Sequence, residues 1–134
     1  QRLAKREPAA APLIGVESVL AALFLGTEAM DRMWALQTKE GKAKGAWVLE
    51  KAPRQEGSNA YATALVTLVL QRTQGPGPKS ATALGWLRVR QDPEGGYWSA
   101  DSMNKQYPAD SMEIKFMRDA ATAFASLALL EASN

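Results

Sequence analysis

Two stretches of this chain end alike. "WALQTKEGKAKGAW" covers residues 34–47 and "WLRVRQDPEGGYW" covers 86–98. In each, a helix-like run closes on a glutamine, Gln37 or Gln91. A glycine-bearing turn follows, then Gly45-Ala46-Trp47 or Gly96-Tyr97-Trp98. All four tryptophans lie in these two segments. A glutamine amide both donates and accepts, so it can bond backbone groups left unpaired at a helix end. Glycine admits the positive φ of a sharp bend, and an indole laid flat over the amide buries a large area. Two copies at repeat spacing read as architecture that ties one helical unit to the next. The alternative is a ligand site built of Gln and Trp, for instance for a sugar.

The rest of the chain supports a helical repeat. Strand signals are scarce, and the apolar residues fall at helical spacing. Helices are expected at 14–25, 27–39, 58–72, 80–91 and 116–131, with a short helical lead-in near 111. Ser58 or Asn59 caps the third. "GPGP" at 75–78 is a hard stop, and "DSME" at 110–113 is spaced as a capping box. The second and fourth helices carry one apolar stripe each. The third, "AYATALVTLVL", and the fifth, "AATAFASLALL", are apolar nearly all round, and the first resembles them. A helix of that kind must be buried on more than one side. Inner helices thus alternate with outer ones. Tyr61-Ala62-Thr63-Ala64 aligns with Ala120-Ala121-Thr122-Ala123 at an offset of 59, and Leu23 aligns with Leu68 at an offset of 45. The expected fold is all-α: one domain over 1–134, with repeats at roughly 14–47, 58–98 and 111–134 and about 12 frayed residues in front.

Composition removes several chemistries. The chain has 134 residues, no Cys and no His. Disulfides, thiol nucleophiles, ordinary zinc sites and a Ser-His-Asp arrangement are excluded. No metal cluster and no cofactor is expected. The net charge of +2 is small and scattered, which argues against nucleic acid. The longest apolar run, 19–26, is too short to span a bilayer. The chain opens on Gln rather than Met, the start expected of a trimmed or mature chain from which an export signal could have been removed. Its compartment stays open.

Helix, Gln, glycine turn and Trp together resemble the QW motif of the terpenoid cyclase and protein prenyltransferase superfamily. "LRVRQDPEGGYW" fits well; "LQTKEGKAKGAW" has a turn three residues longer. The order "MWALQ", "GAW", "YAT", "SMNK", "FMRDAATAFA" is similar to that of bacterial squalene-cyclase-like proteins of unknown function. The resemblance, from about Val16 onward, implies an α/α toroid in which inner helices line a central cavity, with Gln37, Trp47, Gln91, Gly96, Tyr97 and Trp98 as structural residues. It also implies an apolar or isoprenoid-like ligand. A full ring of that family has five to seven helix pairs, and this chain has about two and a half. It is therefore an arc, completed by a homo-oligomer or by an interior segment absent near 48–58, or else a miniature. The aspartate-rich acid motif of the cyclases, the Asp-Cys-His zinc set of the prenyltransferases and the Cys-Gln pair of the related thioester domains are all missing.

The remaining candidates each have a plainer reading. Asp119 is a weak candidate acid facing a cavity, or the cap of a helix at 120–131. Glu17 is an acid in a first helical turn. Tyr61, Phe124 and Phe24 line a ligand cavity, or simply pack the core. "NKQYPADSMEIK", 104–115, is a lid or partner loop, or a surface excursion. "GPGPKS" lacks phosphate-loop spacing and is a turn. Three functions follow: a non-catalytic repeat domain that binds an apolar ligand or acts as a scaffold, part of a cyclase-like enzyme whose acid lies elsewhere, and a protein-interaction module.

Overall fold

The computed structural model describes residues 26–48, 59–100 and 106–133. These are all-helical, with four α-helices, one 3-10 turn and no strand among the described residues. The expected helix at 14–25, its Phe24 and Glu17, the frayed start and the link at 49–58 lie outside them.

Helix α1 runs Thr27–Leu36, with Glu28 in its first turn, where a carboxylate suits the helix dipole. It stops three residues before the expected Lys39, because Gln37 turns extended at φ −62°, ψ 133°. A 3-10 turn, Gly41–Ala43, follows. Helix α2, Ala60–Gln74, is capped by Asn59, whose side chain accepts from the Ala62 N–H. Helix α3 is Pro78–Arg90. It begins two residues before the expected Ser80, because Pro78 fits the first helical position, where no N–H is needed. The Ser80 hydroxyl closes its start, accepting from Gly77 N–H at 3.0 Å and donating to Gly77 O at 2.9 Å.

Helix α4 spans Met112–Ala132 without a break. Its cap is Ser111, which accepts from the Ile114 N–H at 3.3 Å. This corrects three expectations. The cap lies one residue past Asp110, and the helix absorbs residues 112–115 of the anticipated loop. Asp119 does not cap a helix at 120, because it lies within α4.

Residues 75–77 fold α2 and α3 into a hairpin. Helices α2 and α4 run parallel: Tyr61 meets Phe124 near one end and Arg72 meets Glu131 near the other. The Arg72 guanidinium donates through Nε at 2.7 Å. That hydrogen bond first, and the carboxylate charge second, raise its pKa further above the ordinary arginine value. The pair is exposed and tethers helix ends more than it stabilises the fold.

Helix α2 is the centre of the domain. Its Leu65, Val66, Val69 and Leu70 meet Met30 and Met33 of α1 and the Trp47 ring in one cluster. Its Ala60, Ala64 and Leu68 meet Leu84, Trp86 and Leu87 of α3, Trp98, and Ala121, Ala125 and Ala128 of α4 in another. Its all-round apolar surface is thus used on every side. Helix α4 has a similar composition but a different fate. It buries only the alanine stripe at i, i+4, i+7, whose small side chains bring it close to α2. Its opposite face, including Phe116, Leu127 and Leu130, is exposed. The expectation that this helix is buried on more than one side fails among the described residues.

Candidate functional site

The two glutamine turns make the same five hydrogen bonds. In the first, the Gln37 amide donates to Gly45 O at 3.0 Å. Thr38 N–H donates to Ala46 O and Gly45 N–H donates to Thr38 O, both at 2.9 Å. Trp47 N–H donates to Thr63 Oγ1 at 3.0 Å, and its indole N–H donates to Met33 O at 2.7 Å. In the second, the Gln91 amide donates to Gly96 O at 2.8 Å. Asp92 N–H donates to Tyr97 O at 2.8 Å and Gly96 N–H donates to Asp92 O at 2.9 Å. Trp98 N–H donates to Thr122 Oγ1 at 3.0 Å, and its indole N–H donates to Leu87 O at 2.7 Å. The threonines are the pair aligned at an offset of 59.

These bonds divide the labour differently from the expectation. Met33 and Leu87 each lie among the last four residues of their helix, whose carbonyls have no partner within the helix. The indole satisfies that helix end, and the glutamine closes the turn. Gln37 does a second job. Its amide also donates to Lys79 O in the first turn of α3, at 3.0 Å. Gln37 is buried between the two elements, whereas Gln91 is exposed and holds only its own turn. The Trp47 N–H is buried, so Thr63→Val, which deletes its acceptor, is expected to cost about 1–3 kcal/mol. Thr122→Val at the half-buried second turn should cost less. Urea unfolding of both variants checks the order.

Two of the three cavity candidates, Tyr61 and Phe124, lie among the described residues. Tyr61 and Phe124 close on one another edge to face, with centroids 5.5 Å apart and planes at 79°. They bridge the two core clusters, which is a packing role. Asp119 is exposed on the face of α4 that turns away from the core. Tyr97 lies under the Arg118 guanidinium, 4.6 Å from its ring centroid, which ties the second turn to α4.

A cleft of about 380 Å³ opens over the first turn, where Gln37, Thr38 and Gly45 meet the start of α3. Lys39, Lys44 and Lys79 line it, with no carboxylate among the described lining residues. Two of these ammonium groups gather on Trp34. Lys39 Nζ donates to Trp34 O at 2.6 Å, and Lys79 Nζ lies 5.4 Å from the ring centroid. The Trp34 indole N–H donates to Gln74 Oε1 at 2.7 Å, which fixes the ring. The cleft is open and cationic. Among the described residues no group of three or more Asp or Glu side chains could hold a metal ion. No described helix is long and apolar enough to cross a membrane.

The sequence had singled out neither this lysine cleft nor the bare face of α4. A signal for the cleft was present: the longer first turn carries Lys39, Lys42 and Lys44, where the second carries Asp92 and Glu94. No protein-family model, curated protein or solved structure matches the chain.

Proposed function

We propose that this chain is a non-catalytic repeat domain of α/α-toroid type that works as a scaffold, presenting α4 to a protein partner. The observation that carries this reading is the unequal use of two equal turns. The Gln37 amide reaches into the next helix, while the Gln91 amide has no further helix to reach among the described residues. The stripe Ala60, Ala64, Leu68 of α2 is buried by its neighbours, whereas the aligned stripe Asp119, Ala123, Leu127 of α4 is exposed. An apolar helix face left bare in a repeat array needs covering.

The toroid assignment draws support from the repeated bond set and from the alternation of a central α2 with peripheral α1 and α3. The scaffold reading draws support from the closed Tyr61–Phe124 pair, which leaves no space between those two rings for an apolar ligand, and from the exposed position of Asp119.

Native mass spectrometry of the purified protein tests the reading. A protein free of co-purified small molecules is expected. A monomer that carries an apolar mass, displaced by isoprenoid alcohols, would replace the scaffold reading with a ligand-binding one.

A further inference from the structure

The lysine cleft over the first turn has no counterpart in the second, although the two turns share one bond set. Thr38 and Asp92 are equivalent in that set, as are Gly45 and Gly96. Between those positions the first turn carries Lys39, Lys42 and Lys44 against one acid, Glu40, and the second carries Pro93, Glu94 and Gly95. The backbone thus closes with either sign of charge, and the lysines are not needed to fold it. Asp92 serves its own turn, because its Oδ1 accepts from the Glu94 N–H at 3.1 Å and from the Gly95 N–H. Lys44 has no such task. Its ammonium meets no carboxylate among the described residues, whose ion pair lies elsewhere, between Arg72 and Glu131.

The extra residues of the first turn form the 3-10 turn Gly41–Ala43. It leads Lys44 into the cleft that Lys79 of α3 also lines. The floor of that cleft is fixed. The Gln37 amide bonds both Gly45 O and Lys79 O, and Gly45 packs so close to α3 that an added Cβ would meet Thr82 O at 2.7 Å. Two of the ammonium groups are positioned as well, Lys39 by Trp34 O and Lys79 by the Trp34 ring. Like charges gathered without a carboxylate repel one another, and an anion seated among them relieves that repulsion. A cleft of about 380 Å³ suits a small molecule, and its fixed floor lowers the ordering cost of binding.

The donors narrow the anion. No arginine stands among the described lining residues. An arginine fork fixes a plane, whereas an ammonium is a point charge with three rotatable donors. Three ammonium groups on separate segments therefore suit a tetrahedral group better than a flat carboxylate. A phosphate monoester carries a charge of about −1.5 to −2 at pH 7 and offers three acceptor oxygens. The half-buried Thr38, which also lines the cleft, adds a neutral hydroxyl.

We propose that this cleft binds a small soluble phosphate monoester, held by Lys39, Lys44 and Lys79. The site goes beyond the scaffold reading and is separate from α4. Its ammonium groups are exposed, so salt screens the attraction and the ligand exchanges freely.

Titration of the ¹⁵N-labelled protein with glycerol 3-phosphate tests the site, with malonate at equal ionic strength as the carboxylate control. Saturable amide shifts are expected around Thr38, Lys44, Gly45 and Lys79, with an affinity about tenfold or more above that for malonate. Changing Lys44→Gln and Lys79→Gln together should lower the affinity about tenfold or more. Lys115→Gln, at an exposed position of α4, should leave it unchanged. Both cleft lysines are exposed at the side chain, and the Lys79 carbonyl that Gln37 bonds is kept, so the fold is retained; circular dichroism checks this. Equal affinity for malonate, shifts spread over lysines throughout the chain, or an equal effect of Lys115→Gln would overturn the proposal. Binding to vesicles that contain phosphatidic acid, without binding to glycerol 3-phosphate, would overturn it too, because the site would then serve a lipid surface. None of these results touches the exposed face of α4, so the scaffold reading stands or falls on its own measurement.

Discussion

Trp47→Ala is expected to destabilise the fold by about 3–5 kcal/mol, the range for deleting a buried aromatic from a packed core. The Trp47 side chain is wholly buried among Met33, Leu65 and Val66, and lies 5.8 Å from the Trp34 ring. Its loss removes that packing and also uncaps the end of α1, since the indole N–H holds Met33 O. A domain of this size has a total stability of roughly 5–15 kcal/mol, so the variant could fail to fold at 37 °C. Trp47→Phe separates the two effects. It keeps most of the buried area but has no donor, and should cost about 1–3 kcal/mol for the unsatisfied carbonyl and the smaller ring. Trp98→Ala repeats the experiment in the second turn, where the indole holds Leu87 O. Urea unfolding followed at 222 nm reads all three. A Trp47→Ala midpoint close to wild type would show that the turns decorate the helices and do not hold them.

The second large effect is expected at Gly45. Its φ is +94°, and an added Cβ would lie 2.7 Å from Thr82 O, a backbone atom of α3. A non-glycine residue at such a φ carries roughly 1–3 kcal/mol of strain, and the clash would in addition push the turn off α3. That movement would break the Gln37 bond to Lys79 O, the link between one repeat and the next. Gly96 offers the control. Its φ is +70°, but the nearest atom to an added Cβ is the Gln91 Nε2, at 3.8 Å. Gly96→Ala should cost only the conformational term of about 1–2 kcal/mol. The prediction is therefore an order, Gly45→Ala worse than Gly96→Ala, measured by thermal melting. Equal losses would mean that the close approach to Thr82 relaxes without cost.

The contrast between those two glycines bears on how far a sequence can be read. Both stand in the same motif and look equivalent in the chain. Only the packing of α3 against the first turn makes one of them irreplaceable. The glutamines follow the same logic. Their spacing announced a turn, but the sequence could not say that Gln37 would be buried between two helices and Gln91 left in water. Nor could it tell indole from amide as the group that satisfies the helix end, because both are donors of suitable reach.

Local chemistry determined much by itself. The apolar spacing set four helices within a few residues, since a 3.6-residue period is a property of the backbone and needs no neighbour. A cap at Ser58 or Asn59, of which the structure uses Asn59, and the repeat that pairs Thr63 with Thr122 were legible, because each depends on groups close in the chain or on a copied pattern. Among the boundaries that shifted, at Gln37 and Ser111 a side chain found a better bond than the one its neighbours suggested, and at Pro78 the proline ring suited the first helical position.

Tertiary structure decided the rest. Helices α2 and α4 have nearly the same composition, and composition alone asked for both to be buried on several sides. The chain surrounds α2 with α1, α3 and α4, but among the described residues it leaves one face of α4 bare. Burial belongs to the arrangement of neighbours, because apolar side chains gain from any surface that excludes water and carry no record of which one. The pattern of residues therefore specified what each helix could bury, and the packing of the whole specified what each one did.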